Sequence, residues 1–163
     1  MIDYIILPNM RCTRCGEVNE RVTEQLYINK EPHSNTYTVG SRFDLPDDVE
    51  GFAGCDYVPA RPDVVIGPRL RVLDGWTCRC CGAGNLCVLL FEDRVLVEAR
   101  SVERSLMIFA EVDLVEADLP RWWVHEALEE RFPDAEGIEF LYLTEILEVI
   151  RTGQMIAGDE NED

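Results

Sequence analysis

Runs of alternating and periodic apolar residues divide the chain into strand-like and helix-like stretches. Residues 2–7 are apolar and aromatic and predict a strand, ended by a turn at Pro8-Asn9. From residue 17 onward Val18, Val22, Leu26 and Ile28 are interleaved with Glu20, Arg21, Glu24 and Gln25, which suits an extended strand and also admits a helix over 17–27. Thr36-Tyr37-Thr38-Val39 predicts a strand ended by Gly40. Residues 51–68 are punctuated by Gly51, Gly54, Pro59, Pro62, Gly67 and Pro68 and predict short strands and turns, a packed connection in which Asp56 and Tyr57 show no catalytic spacing. Residues 86–91, the turn Glu92-Asp93 and residues 94–99 make the clearest hairpin.

Downstream, Leu106, Ile108, Ala110, Val112 and Leu114 alternate strictly and predict a strand over 105–114, whose other face passes from Met107 and Phe109 to Glu111 and Asp113. Asp118 then reads as an N-cap with Pro120 in the first turn of a helix that runs to about Phe132 and is stopped by Pro133. Its apolar face is Trp123, Val124, Ala127, Leu128 and Phe132, and Trp122 points the opposite way beside His125, Glu126 and Glu129. A strand over 138–143 and a short helix capped by Thr144 and closed by Gly153 follow. The fold class is α+β: a mainly antiparallel β module over residues 1–104 with an inserted loop at 30–72, then a strand-helix-strand-helix part over 105–156, then a disordered acidic tail at 157–163.

The cysteines change this picture most. Cys12-Thr13-Arg14-Cys15-Gly16 and Cys78-Arg79-Cys80-Cys81-Gly82 are both C-x-x-C-G, and together they offer four thiolates, the tetrahedral sulfur set that one structural Zn²⁺ prefers. A redox dithiol uses one such pair and leaves the repetition without a reason; buried apolar thiols would not need the spacing. The expected ligands are Cys12, Cys15, Cys78 and Cys81, with Cys80 outside the set because adjacent cysteines cannot easily reach one ion. Trp76 is expected to cover the site. Cys55, Cys80 and Cys87 remain over, and with seven cysteines a disulfide framework is the poorer account.

On these two loops the chain resembles the zinc-ribbon superfamily, and more faintly the CpXC-type bacterial zinc-ribbon proteins that carry a long insertion between their knuckles. The resemblance implies a metal-binding fold element and no particular activity. Two departures are plain: neither loop has a proline after its first cysteine, and 62 residues separate Cys15 from Cys78.

Charge narrows the function classes. Residues 1–110 carry 16 acidic and 12 basic side chains, net −4, whereas residues 111–163 carry 16 and 3, net −13. Such a surface repels nucleic acid by default and attracts basic proteins, although a GC-rich or salt-adapted source would also explain it, since Lys30 is the one lysine among 15 basic residues. No run approaches the roughly 18 apolar residues of a membrane span, and residues 1–10 lack the features of a secretion signal, so a cytoplasmic protein is expected. His33 and His125 have no nucleophile at a readable spacing, there is no phosphate-binding glycine motif, and four cysteines close a metal to substrate, all of which argues against an enzyme. Two readings remain. The first is an acidic interaction module docking on a basic protein through Trp122, Glu126, Glu129, Glu111 and Asp113. The second is a nucleic-acid-binding zinc ribbon using Arg11, Arg14, Arg69, Arg71 and Arg79.

Overall fold

The structure is a computed structural model that describes residues 2–119 and 122–155, without the side chain of Trp122. Its strands are β1 (Asp3–Arg11), β2 (Val18–Leu26), β3 (Thr36–Tyr37), β4 (Tyr57–Pro59), β5 (Arg69–Thr77), β6 (Gly84–Glu92), β7 (Val95–Val102) and β8 (Leu114–Glu116); its α-helices are α1 (Val49–Ala53), α2 (Ile108–Glu111), α3 (Trp122–Arg131) and α4 (Leu143–Thr152). Among the described residues the strands form two sheets, ordered β2-β1-β3 and β4-β8-β5-β6-β7. Most pairs are antiparallel; β3 on β1 and β8 on β5 are parallel. The α+β class is therefore as expected.

Hydrophobic patterning sets the layers. Along β1 buried Asp3, Ile5 and Leu7 alternate with outward residues, and β2 turns Val22 and Leu26 the same way, so their sheet offers one apolar face. That face carries Ile5, Leu7, Met10, Val22 and Leu26 and shares one core with Val72, Trp76, Leu89, Phe91 and Leu96 of the larger sheet. In β6 the run Leu86-Cys87-Val88-Leu89 is buried on both faces. Leu86 and Val88 belong to a second core, with Leu73, Val115, Phe109, Trp123, Val124, Leu128, Ile146 and Val149, beneath the helices. Three layers result: small sheet, large sheet, helices. No helix among the described residues is long and apolar enough to cross a membrane.

Several expectations need correction. Pro8-Asn9 is not a turn, because β1 pairs with β2 in one unbroken register from Asp3↔Leu26 to Arg11↔Val18, with Asn9 at φ 51°. Residues 18–26 take the extended alternative, as β2. The β6–β7 turn is Asp93-Arg94, both at positive φ (50° and 70°), one residue later than expected and typical of a tight two-residue hairpin. The inserted stretch contains α1, capped by Asp48 Oδ1 accepting from Gly51 N at 2.8 Å, as well as strands for both sheets.

Residues 105–114 are not a strand. Ile108, Phe109 and Val112 are buried at helical spacing and Met107 is exposed, so α2 forms and the strand β8 begins only at Leu114. β8 then inserts between β4 and β5, which ties the chain beyond residue 104 into the large sheet. Nor is 138–143 a strand: Ile138–Phe140 is a 3₁₀ turn entered through Gly137 at φ 77°, with Ile138 and Leu143 buried at either end of the segment. The residue at the cap of α4 is Tyr142, not Thr144, and Glu145 Oε1 accepts from its N–H at 2.9 Å; Gly153 closes the helix at φ 71° as expected. Trp123, Val124 and Leu128 are the buried face of α3, with Ala127 and Phe132 half-buried. Asp118 lies in a turn, its N–H donating to Glu116 Oε1 at 2.8 Å, while Pro120, the direction of the Trp122 ring and the 157–163 tail lie outside the described residues.

Candidate metal centre

Each C-x-x-C loop closes a hairpin, β1 to β2 and β5 to β6, and the fold sets the two loop ends face to face. The four Sγ atoms of Cys12, Cys15, Cys78 and Cys81 lie within 4.8 Å of one another, a group that could hold a metal ion. Across the centre Cys12 Sγ is 3.6 Å from Cys81 Sγ, and Cys15 Sγ is 3.7 Å from Cys78 Sγ. Cys12 and Cys78 are buried; Cys15 and Cys81 face solvent.

The two halves are copies, 66 residues apart (Cys12 to Cys78), and the correspondence runs through the whole hairpin: β1 matches β5 and β2 matches β6 in length and register. In the first loop Cys12 N donates to Glu17 O (2.9 Å) and Gly16 N to Cys12 O (3.0 Å); in the second Cys78 N donates to Ala83 O (2.9 Å) and Gly82 N to Cys78 O (3.0 Å). Gly16 (φ 78°) and Gly82 (φ 73°) occupy the left-handed region that such a loop requires and L-residues disfavour.

Two asparagines stitch the halves together. Asn85 Nδ2 donates to Cys12 Sγ (3.4 Å) and Asn85 Oδ1 accepts from Thr13 N (2.9 Å). Reciprocally, Asn19 Nδ2 donates to Cys78 Sγ (3.5 Å) and Asn19 Oδ1 accepts from Arg79 N (2.8 Å). Both are buried and both sit seven residues after the first cysteine of their own loop. Sequence reasoning missed them, although the repeated motif is C-x-x-C-G-x-x-N and the second asparagine is as regular as the glycine.

The electrostatics suit a cation. Burial opposes ionisation of Cys12, but the N–H groups of Cys15 and Arg14 and the Asn85 amide overcome it and hold the thiol at about 6. For Cys78, the N–H of Cys81 and the Asn19 amide hold the thiol below its ordinary value. At Cys15 the N–H of Glu17 favours the thiolate, yet desolvation and the crowding of Cys78, Cys12 and Cys81 push it up to about 12. Four thiolates at this spacing repel one another, and a divalent ion among them would supply the missing charge. Trp76, buried with Nε1 donating to Leu86 O at 3.3 Å, and Met10 at the equivalent place in the first hairpin belong with Cys12 and Cys78 to the core between the sheets. Cys80 is exposed and outside the group; Cys87 is buried and Cys55 half-buried.

The remaining candidate residues are dispersed. Arg11 Nη1 donates to Gly16 O and Arg79 Nη2 to Thr23 O; with exposed Arg14 they stand at the metal end. Arg69 and Arg71 sit at the far end of β5, Arg71 being seven residues from Cys78, about 23 Å along an extended strand, so the five arginines do not make one patch. Arg69 pairs with Glu92. Glu126 and Glu129 are exposed on α3 and Glu111 is exposed on α2. The Asp113 carboxylate is held within the fold, accepting from Arg61 Nη2 (3.0 Å) and Arg71 N (2.9 Å). His33 is exposed with its N–H on Asp3; His125 is half-buried, its Nε2 enclosed without a hydrogen-bond partner among the described residues.

A second cluster had no sequence signal. Tyr57 Oη donates to Asp74 Oδ2 at 2.6 Å, and because Leu73 pairs with Val115, Asp74 and Glu116 sit side by side on the parallel strands β5 and β8. Burial, with Tyr57 and the Gly75 N–H acting against it, raises the Asp74 carboxyl to about 6; burial raises Glu116 to about 7, with Asp74, Asp118 and Asp56 adding to it. No known protein family, no curated protein and no solved structure matches this chain.

Proposed function

We propose that the protein is a non-enzymatic interaction module in which one structural Zn²⁺ clamps two hairpins and the acidic C-terminal layer docks on a basic protein, as an inhibitor, immunity or accessory factor does. Zinc is favoured by the donor set: soft thiolates, four in number, with N–H groups aimed at the two buried sulfurs. Four ligands from the chain leave no coordination position for a substrate, which makes the ion a staple of the zinc-ribbon kind, here with a long excursion between its halves.

The observation that carries the docking role is the solvent side of the helical layer. Glu126, Glu129 and Glu130 are exposed on α3, and residues 132–150 hold five carboxylates and no cation. Elemental analysis is expected to give one zinc per chain; its absence from purified protein overturns the metal assignment. Binding of the zinc-loaded chain to lysine- and arginine-rich peptides is expected to weaken as salt rises, with no binding to random duplex DNA. Duplex binding that weakens with salt and is lost in Arg14→Glu, Arg79→Glu would replace this reading by the nucleic-acid one.

A further inference from the structure

The segment between α3 and α4 is buried at its two ends and leaves two aromatic rings outside. Ile138 and Leu143 are in the core and Leu141 is packed partly against it, whereas Phe140 is 80% exposed and Tyr142 75% exposed. Neither ring stacks on another ring among the described residues. The backbone that presents them is fully engaged: Phe140 N donates to Gly137 O (3.0 Å), Leu141 N to Ile138 O (3.1 Å) and Tyr142 N to Glu145 Oε1 (2.9 Å). Two large rings displayed in water by an ordered backbone make little use of their apolar area among the described residues, and an aromatic ring, with two χ angles, loses little freedom on binding.

The surroundings select the occupant. Asp134, Glu136 and Glu139 are exposed in the same segment, within six residues of Phe140, and the arginines that bracket the segment are engaged: Arg131 lies over the Phe132 ring at 5.5 Å, and Arg151 pairs with Glu148. A cation is what the patch lacks. Arginine fits it better than lysine, because a guanidinium stacks flat on an aromatic face while its N–H fork pairs with a carboxylate, whereas an ammonium is a compact and strongly hydrated point charge.

Resting on the docking role proposed above, we infer that Phe140 and Tyr142, rimmed by Asp134, Glu136 and Glu139, are the anchor for an arginine-bearing segment of a protein partner. The test is an NMR titration of the full, metal-loaded chain with arginine and lysine homopeptides of equal length, at low and high salt. Amide shifts are expected to concentrate on residues 134–145, with the arginine peptide tighter by roughly fivefold. Phe140→Ser, Tyr142→Ser removes no core contact and is expected to bring the arginine affinity down to the lysine value, while Glu126→Lys, Glu129→Lys weakens both peptides alike. If the serine variant leaves the arginine preference unchanged, or the shifts centre on α3, the anchor is wrong and the acidic docking role stands. If neither peptide binds at low salt, the docking role fails and the anchor with it. If the free protein's signals at 134–145 move with its own concentration, a second copy occupies the patch and the inference is overturned.

Discussion

The β1–β2 and β5–β6 hairpins carry the same half-site in opposite surroundings. Both have nine-residue strands, the same loop hydrogen bonds and the same asparagine, yet β2 is an edge strand with one buried face, whereas β6 lies inside the large sheet with both faces covered. The half-site geometry, loop, glycine and asparagine, is thus the same whether the hairpin beneath it lies at a sheet edge or inside a sheet. What it joins is more telling: each hairpin gives two sulfurs, so an ion bound here holds the small sheet against the large one. The small sheet has one apolar face and a two-residue third strand to hold it, and should depend on the metal most.

The largest expected effect breaks the two hairpins apart. Removing the metal, or Cys78→Ser, should abolish a contribution on the order of 10 kcal/mol, and hydrogen exchange should show β1 and β2 losing protection while β6 keeps it. Cys12→Ser should give the same pattern although it lies in the other hairpin. Equal protection of both hairpins without metal would mean that the sheets hold each other unaided.

Next come the asparagines. Asn19→Ala and Asn85→Ala each remove an N–H···S bond and leave the N–H of Arg79 or Thr13 unpaired, a loss of about 1–3 kcal/mol and roughly 10–100-fold in metal affinity. Chelator competition should give comparable losses, since each amide bridges a buried sulfur and a loop N–H, with Asn85 losing in addition the bond from Thr13 Oγ1. A large difference would show that one half dominates.

The pH dependence separates the hairpins more finely. Asp74 stands in β5, and its counterpart in β1 is Pro8, so only the second hairpin carries the raised carboxyl. Folded values of about 6 for Asp74 and about 7 for Glu116 lie above the ordinary carboxylate range. Their contribution is therefore fully present below about pH 4 and is lost as pH rises through 6 to 7. Denaturant midpoints of the metal-loaded protein at pH 5 and pH 8 should show a fall that Asp74→Asn reduces. An unchanged pH slope in that variant would remove the cluster from the account.

The smallest effect sharpens the comparison. Gly16→Ala and Gly82→Ala place a Cβ in open space at positive φ, so each should cost about 1–2 kcal/mol from backbone strain alone. Unequal values by thermal denaturation would point to strain in one loop.

The four-cysteine set was legible because ligand chemistry is written in residue type and spacing, and the β6–β7 hairpin because two strand-like runs flank a polar turn, whereas the β1–β2 hairpin was not, its second strand burying residues three and four apart. The asparagines were not, since a polar side chain says nothing of which distant loop it will meet. Residues 105–114 misled because Leu106, Ile108, Ala110, Val112 and Leu114 alternate, while Phe109 supplies the i, i+1, i+4 pattern that packing under α3 and α4 rewards. Residues 138–143 misled because their apolar and aromatic content looks strand-like, whereas only Ile138 and Leu143 are buried, the first at the start of a 3₁₀ turn, with no neighbouring strand. The Tyr57–Asp74–Glu116 cluster depends on β8 entering the sheet beside β5, a long-range pairing that no local pattern announces.

The 62 residues between Cys15 and Cys78 also set a schedule. A chain made from its N-terminus exposes the first two sulfurs while the other two do not yet exist. At about 5–20 residues per second the wait is roughly 3–12 s, during which Cys12 and Cys15 are an open dithiol. On the proposed zinc reading, an ion could be sealed in only when the second hairpin emerges, which makes metal loading a late event in the birth of the chain.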